Sequence, residues 1–101
     1  MPVLLRHLHD GANLQEAIDA PEFHTNHLIS SFDPRGVRPD EVEVESRVPA
    51  EVIDELRRRG HSVQVGDAWS LGRVSAVARA DGGLLRAAAN PRGMQGYAVG
   101  R

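Results

Sequence analysis

The feature that most constrains the fold is a pair of apolar segments joined by the turn Asp81–Gly83. The segments RVSAVARA and LLRAAA on either side of this turn are predicted to be strands, and the Gly-rich junction is typical of a short hairpin. Small and apolar residues occupy both odd and even positions of these segments, so the hairpin is apolar on both faces. Such strands normally lie between two layers. The sequence therefore predicts a buried hairpin that needs cover on both sides.

Hydrophobic spacing predicts three short helices elsewhere in the chain. They are VLLRHLH before Gly11, LQEAID between Asn13 and Pro21, and AEVIDELRRR before Gly60. Asn13 and Glu16 form the capping-box pattern that starts the second helix. Pro49 is predicted at the first helical position of the third. The apolar stripes of these helices are too narrow to cover both faces of the hairpin, so the sequence lacks a layer.

Two further strands are predicted around the third helix. EVEVESRV alternates valine with glutamate, and its charges suit the edge of a sheet. HSVQV follows the helix as a second strand. Residues 22–39 contain several Ser, Pro and Gly residues and are predicted to be an extended surface connection. The whole pattern indicates a small α+β fold with a mostly antiparallel sheet.

Composition excludes several classes of function. The chain has 101 residues, which predicts a single domain, and its net charge of -2 argues against binding to a nucleic-acid backbone. The absence of cysteine excludes a disulfide framework, a thiolate nucleophile and Cys-ligated zinc, and all 12 basic residues are arginine, which excludes a lysine base. No signal peptide or membrane span is recognisable, so the chain is predicted to be soluble as given, in a compartment that the sequence does not identify.

Histidines are the first candidates for a metal site. The relevant residues are His7, His9, His24 and His27, with Asp10 and Glu22 as possible carboxylate ligands. Residues at i and i+2 point apart on a helix, so His7 and His9 are not expected to share an ion. His24 and His27 are close only if their segment is helical, and that segment has the composition of a loop. Satisfied or solvent-facing histidines are the favoured interpretation.

Other candidate motifs are weaker. They are an N-terminal Pro2 amine, a Ser–His–Asp set drawn from Ser30, Ser31, Ser70 or Ser75 with His61 and Asp67, the run Arg57–Arg59, and the glycines of GMQG. Pro2 precedes a helical pattern, the serines lack a nucleophile elbow, and GMQG lacks the strand and helix that flank a nucleotide loop. The arginine run suits a helix C-terminus. We therefore predict no catalytic, cofactor-binding or metal-binding residue in this chain.

Three segments together resemble a known family. They are NLQEAIDAPEFHTNH, VEVESRVPAEVIDELRRRGHSVQV and DGGLLRAAANPRGMQGYAVGR, which occur in this order between about Leu4 and Arg101. They are similar to the C-terminal half of gamma-glutamyltranspeptidases, the glutathione-hydrolysing acyltransferases. Glu22 stands where the family usually has Arg, His24-Thr25 replaces His-His, and Asn90 replaces an acidic residue. These departures favour an acylase-like or divergent branch.

The resemblance implies a partial αββα sandwich of the N-terminal-nucleophile hydrolase type. Members of this family use a Thr freed by self-cleavage as the nucleophile and a Gly-Gly pair that stabilises the oxyanion. These groups, and the Ser-Ser pair that holds the glutamyl carboxylate, all lie upstream of the segment matched here. The resemblance therefore implies no catalytic residue within residues 1–101. It also implies that the closing tail is the last strand of a larger enzyme.

Three hypotheses remain open from the sequence. The first is the C-terminal part of a gamma-glutamyltranspeptidase-like enzyme, inert alone, whose partner is the remainder of the parent protein. The second is a small α+β binding or regulatory module without chemistry, and the third is a His-bound metal protein. No cofactor is predicted. The isolated chain is expected to form a homodimer, because its uncovered apolar surface resembles an interface.

Overall fold

Three α-helices and five β-strands occur in the computed structural model, which describes residues 2–94 and 96–100. The elements are α1 (Pro2–Leu8), α2 (Leu14–Asp19), β1 (Phe23–Thr25), β2 (Glu41–Glu45), α3 (Ala50–Arg58), β3 (Ser62–Gly66), β4 (Ser75–Arg79) and β5 (Leu85–Ala89). The chain divides into two compact units, a middle unit of residues 21–71 and a flanking unit made of the segments before and after it. The small α+β fold predicted from the sequence is confirmed.

The middle unit contains a three-stranded sheet in the order β1-β2-β3. β1 is antiparallel to β2, with Phe23 opposite Val44, and β2 is parallel to β3, with Val44 opposite Val65. Helix α3 provides the connection between the two parallel strands, as such pairs require. The buried residues Val44, Ile53 and Val63 form its core, with Val42, Val48 and Leu56 packed around them.

The prediction that EVEVESRV is an edge strand is wrong. β2 has a hydrogen-bonded neighbour on each side, and it ends at Glu45 instead of Val48. The extended connection predicted over residues 22–39 is interrupted at its start by β1. Helix α3 begins at Ala50 with Pro49 as its N-cap, so it starts one residue later than predicted. The central position of β2 and the presence of β1 arise from pairing with distant residues, which local charge and turn composition do not report.

The flanking unit contains α1, α2 and the β4–β5 hairpin. The capping box predicted at Asn13 is present: its side chain accepts from the Glu16 N–H at 2.9 Å, and the Glu16 carboxylate accepts from the Asn13 N–H at 2.9 Å. Helix α2 lies against β5, where the Gln15 side-chain amide donates to the Ala89 carbonyl at 3.1 Å. The predicted hairpin is therefore present, with one helix-covered side.

The other side of the hairpin is open in this chain. Ala76 lies opposite Ala88, and Ala88 is buried, but Val77 is 77% exposed and Leu85 is 69% exposed. The described helices therefore cover only part of the hairpin, as predicted from their narrow apolar stripes. The missing layer inferred from the sequence corresponds to this open face.

The described residues after β5 contain no strand. They form a 3-10 turn at Arg92–Met94 followed by irregular backbone. The implied closing strand is therefore absent from residues 90–94 and 96–100. Met1, Gln95 of GMQG and Arg101 lie outside the described residues.

Candidate functional site

The histidines do not converge on a metal site. His7 Nδ1 is 2.9 Å from the Ala12 carbonyl oxygen, and His27 Nδ1 accepts the Asp40 N–H at 3.0 Å. His9 is exposed at the end of α1, and His24 is exposed on β1, so the helical segment that would join His24 to His27 does not form. Among residues 2–94 and 96–100, no three His, Asp or Glu side chains are grouped as metal ligands.

The serine and arginine motifs have local structural partners. The Ser70 hydroxyl donates to the Asp67 carbonyl at 3.0 Å, which is a turn contact instead of a triad contact. Arg58 and Arg59 both bind the Glu55 carboxylate, at 2.6 and 2.7 Å. Hydrogen bonds from Arg58 and then Arg59 hold the pKa of Glu55 below its ordinary value of 4.5. The run therefore stabilises the exposed face of α3, in agreement with the helix-end interpretation.

A buried carboxylate that sequence patterning missed lies in the middle unit. Glu45, the last residue of β2, is 0% exposed. Its Oε2 accepts the Glu22 N–H at 3.1 Å, and its Oε1 accepts the Leu71 N–H at 3.1 Å. Glu22 and Leu71 stand at the two ends of the unit, which spans residues 21–71. A single carboxylate thus joins the segment that enters this unit to the segment that leaves it.

Arg47 completes this arrangement, which we call the Glu45 clasp (Glu22, Glu45, Arg47 and Leu71). Its Nη2 lies 3.0 Å from Glu45 Oε2, and its Nε donates to the Ala68 carbonyl at 2.7 Å. The guanidinium also stacks over the Trp69 ring at 3.4 Å from the centroid. Because a buried carboxylate is costly unless it is paired and hydrogen-bonded, these contacts are what make its burial tolerable.

A second buried charge organises the flanking unit. Arg92 is 2% exposed, and it donates to the Ile18 carbonyl at 2.8 Å and to the Ala20 carbonyl at 2.9 Å. These carbonyls lie at the C-terminal end of α2, where helix carbonyls lack intrahelical partners and the dipole favours a cation. The Pro-Arg pair of the tail therefore caps a helix about 70 residues earlier in the chain.

The sequence carried only a faint signal for these two residues. Glu45 continues the alternation of Glu41 and Glu43, so nothing local separates a buried glutamate from two partly buried ones. Arg92 lies in the third segment that resembles the family, and the resemblance gave it no role. Both are structural groups: each is bonded to backbone atoms, and neither lies beside a nucleophile in the described part of the chain.

An apolar loop is the main exposed feature of the middle unit. The Ser30 N–H donates to the Gly36 carbonyl at 3.0 Å, and the Arg38 N–H donates to the Asn26 carbonyl at 2.9 Å. These two bonds join the arms of a loop on which Leu28, Ile29 and Phe32 are exposed. The loop borders a cavity of about 680 Å³.

The described residues include no helix that could span a membrane.

Comparison with known proteins identifies relatives over nearly the entire chain. The family model described as gamma-glutamyltranspeptidase matches residues 1–100. A structure of LmbA2991 matches at a TM-score of 0.91 and 53% identity, over 99% of this chain and 18% of that one. Cephalosporin acylase from Bacillus halodurans matches at a TM-score of 0.73 and 30% identity, over 91% of this chain and 16% of the acylase.

A curated protein extends the comparison beyond these structures. Scoloptoxin SSD14 from Scolopendra dehaani is 35% identical over 77 residues, which is 76% of this chain and 11% of that protein. The chain therefore spans about a tenth of this relative's length and less than a fifth of the length of the two structural relatives.

Proposed function

Because this chain belongs to the gamma-glutamyltranspeptidase family, we propose that it is the C-terminal part of an enzyme that hydrolyses or transfers gamma-glutamyl or related acyl groups. Glutathione is the donor that the family resemblance suggests. The observation that carries the proposal is the match of 99% of this chain to only 18% of LmbA2991, at a TM-score of 0.91. A segment that fits so closely into a much larger protein is best explained as a piece of a similar catalytic domain.

In this proposal the chain contributes some of the helices and strands of an αββα sandwich. The β4–β5 hairpin has helices on one side and bare apolar side chains on the other, with Val77 and Leu85 largely exposed. A sheet with one uncovered apolar face needs a second layer. A sheet from the remainder of the parent protein is the proposed cover.

Catalytic groups are proposed to come entirely from the rest of the enzyme. The described histidines and serines have structural contacts or face solvent, and the buried charges Glu45 and Arg92 are bonded to backbone groups. The function of residues 1–101 is then to support the scaffold on which distant catalytic residues are held. Rigid support of this kind is a requirement for accurate positioning of catalytic groups.

Acyl selectivity is proposed to differ from that of a standard glutamyl transferase. Glu22, Thr25 and Asn90 depart from the family pattern, and the similarity to a cephalosporin acylase supports a broader range of acyl donors. These departures support membership of a divergent branch, whereas the residues that contact the donor are proposed to lie upstream of this segment.

The test compares this chain with the protein made from its longer reading frame. We expect the longer protein to release aniline from a gamma-glutamyl anilide, or to cleave a cephalosporin amide, and the 101-residue chain to do neither. Deleting residues 72–101 from the longer protein is expected to abolish activity through loss of the hairpin. Turnover by the short chain that survives repurification and is lost on mutating one of its own residues would contradict the proposal.

A further inference from the structure

A small cavity of about 200 Å³ opens in the flanking unit, between the segment before β4 and the turn after β5. It is lined by Arg73, Val74, Ser75, Asn90, Arg92 and Gly96. The Asn90 N–H donates to the Val74 carbonyl at 3.1 Å, which ties the two walls together. None of the six lining residues is acidic, so the cavity combines two guanidinium groups with polar neutral groups.

The Arg73 side chain lies close to the turn after β5. Gly93 has φ +72, and a Cβ at this position would stand 2.6 Å from Arg73 Nε and 3.2 Å from its Cζ. A side chain at position 93 would therefore have to displace the Arg73 guanidinium, and the positive φ also favours glycine there. Within residues 2–94 and 96–100, Arg73 makes no hydrogen bond or ion pair, so its charge is available to a ligand.

Arg92 adds positive charge without closing the cavity. Its two terminal nitrogens donate to the carbonyls of Ile18 and Ala20, which are neutral acceptors. Arg92 is buried and Arg73 is exposed, so the positive charge of the cavity lies partly inside the unit and partly at its surface.

Asn90 supplies a neutral amide to the lining of the cavity. It is 4% exposed, and its side chain makes no hydrogen bond within the described part of the chain. Ser75, on the opposite wall, offers a hydroxyl that can also donate.

We propose that this cavity binds the carboxylate of a small free organic acid. Arg73 supplies the charge and a planar pair of donors that matches a carboxylate, and Asn90 and Ser75 supply further donors. The volume admits a ligand smaller than a typical drug-sized molecule. The inference rests on the flanking unit alone and does not depend on the enzymatic activity proposed above.

The test is a titration of the 101-residue chain with sodium acetate at constant ionic strength, followed by the backbone amide NMR signals of Ser75 and Gly96. Saturable shifts are expected for the native chain. Arg73→Gln should weaken binding at least about tenfold, since a charge-assisted contact is lost. Arg79→Gln is the matched control, because Arg79 is an exposed arginine on β4 outside the cavity, and it should bind like the native chain.

A second variant keeps the test decisive if Arg73→Gln disturbs folding. Asn90→Asp places a carboxylate inside the cavity, where it should pair with Arg73 and abolish acetate binding while the fold is retained. Absence of saturable shifts in the native chain, or equal binding by the native chain and Asn90→Asp, would overturn the proposal. Tighter binding of inorganic phosphate than of acetate would overturn the assignment to a carboxylate.

Discussion

The middle unit and the flanking unit differ in how far their helices cover the apolar side chains of their strands. In the middle unit, α3 covers the sheet, and Val44, Ile53 and Val63 form a closed core. In the flanking unit, α2 covers one side of the hairpin, but Val77 and Leu85 on the other side remain exposed. The middle unit therefore forms a closed core but keeps an exposed loop with Leu28, Ile29 and Phe32, whereas the flanking unit leaves one face of its hairpin uncovered.

The two units also hold their buried charges differently. Glu45 accepts from two backbone N–H groups and an arginine, all within the middle unit. Arg92 instead donates to neutral carbonyls at a helix end. A buried anion that loses its site leaves several donors unpaired, whereas the carbonyls of a helix end can be partly rehydrated. The comparison therefore predicts that removing Glu45 lowers the stability of the middle unit more than removing Arg92 lowers the stability of the flanking unit.

The largest expected effect comes from Glu45→Ala. This substitution leaves the N–H groups of Glu22 and Leu71 without their acceptor and removes the carboxylate partner of Arg47, so we expect a loss of about 3–5 kcal/mol in the free energy of unfolding. Urea unfolding monitored by Trp69 fluorescence measures it. Glu43→Gln on the same strand is the control, with an expected change within about 0.5 kcal/mol. Equal losses for the two variants would show that the clasp is not the main restraint.

The Glu45 clasp also marks the limit of inference from sequence. Helix caps and the hairpin turn were predictable because their causes are local: Asn13 and Glu16 are three residues apart, and the glycines of Asp81–Gly83 permit the turn. The burial of Glu45 arises from Glu22 and Leu71, which are 23 and 26 residues away. No periodic pattern reports such contacts, and the same reason explains why β2 was expected at an edge.

The second expected effect tests the flanking unit through Arg92→Met. The carbonyls of Ile18 and Ala20 lose a charged donor, which is expected to lower the free energy of unfolding by about 2 kcal/mol. Arg86→Met on β5 is the control, because Arg86 is exposed. Hydrogen exchange should also show that the amides of α2 lose protection selectively. A loss larger than that of Glu45→Ala would reverse the order proposed for the two units.

A smaller loss of stability is expected when the pH is lowered. Hydrogen bonds from Asn26 and then Arg38 hold the pKa of Glu41 below its ordinary value of 4.5, and Arg58 and Arg59 do the same for Glu55. A carboxyl group with a lowered folded-state pKa stabilises the protein above its unfolded-state pKa, and this stabilisation is lost as pH falls through the folded value. Both groups belong to the middle unit, so its stability should decline below about pH 4.5.

A double variant with Glu41→Gln and Glu55→Gln tests whether these two carboxyl groups cause the loss of stability in acid. The double variant should be less stable than the native chain at pH 7 and should lose less further stability between pH 5 and pH 3, as followed by urea unfolding at each pH. The part of the effect that comes from Glu55 should shrink in high salt, because its contacts with Arg58 and Arg59 are exposed to solvent. An unchanged acid dependence would mean that other carboxyl groups control it.

The smallest expected effect on folding is that of Leu85→Asp, and it separates the two units most clearly. Leu85 is exposed, so in a dilute monomer the substitution should change the free energy of unfolding by less than about 0.5 kcal/mol, whereas Ile53→Asp places a charge in the closed core of the middle unit and should cost several kcal/mol. The open face is nonetheless expected to pair with a second copy, because exposed apolar area of this kind favours association. Light scattering over a dilution series should therefore show a dimer for the native chain and a monomer for Leu85→Asp. A native chain that stays monomeric at high concentration would indicate that the flanking unit tolerates its open face, and would favour the independent module over the enzyme fragment.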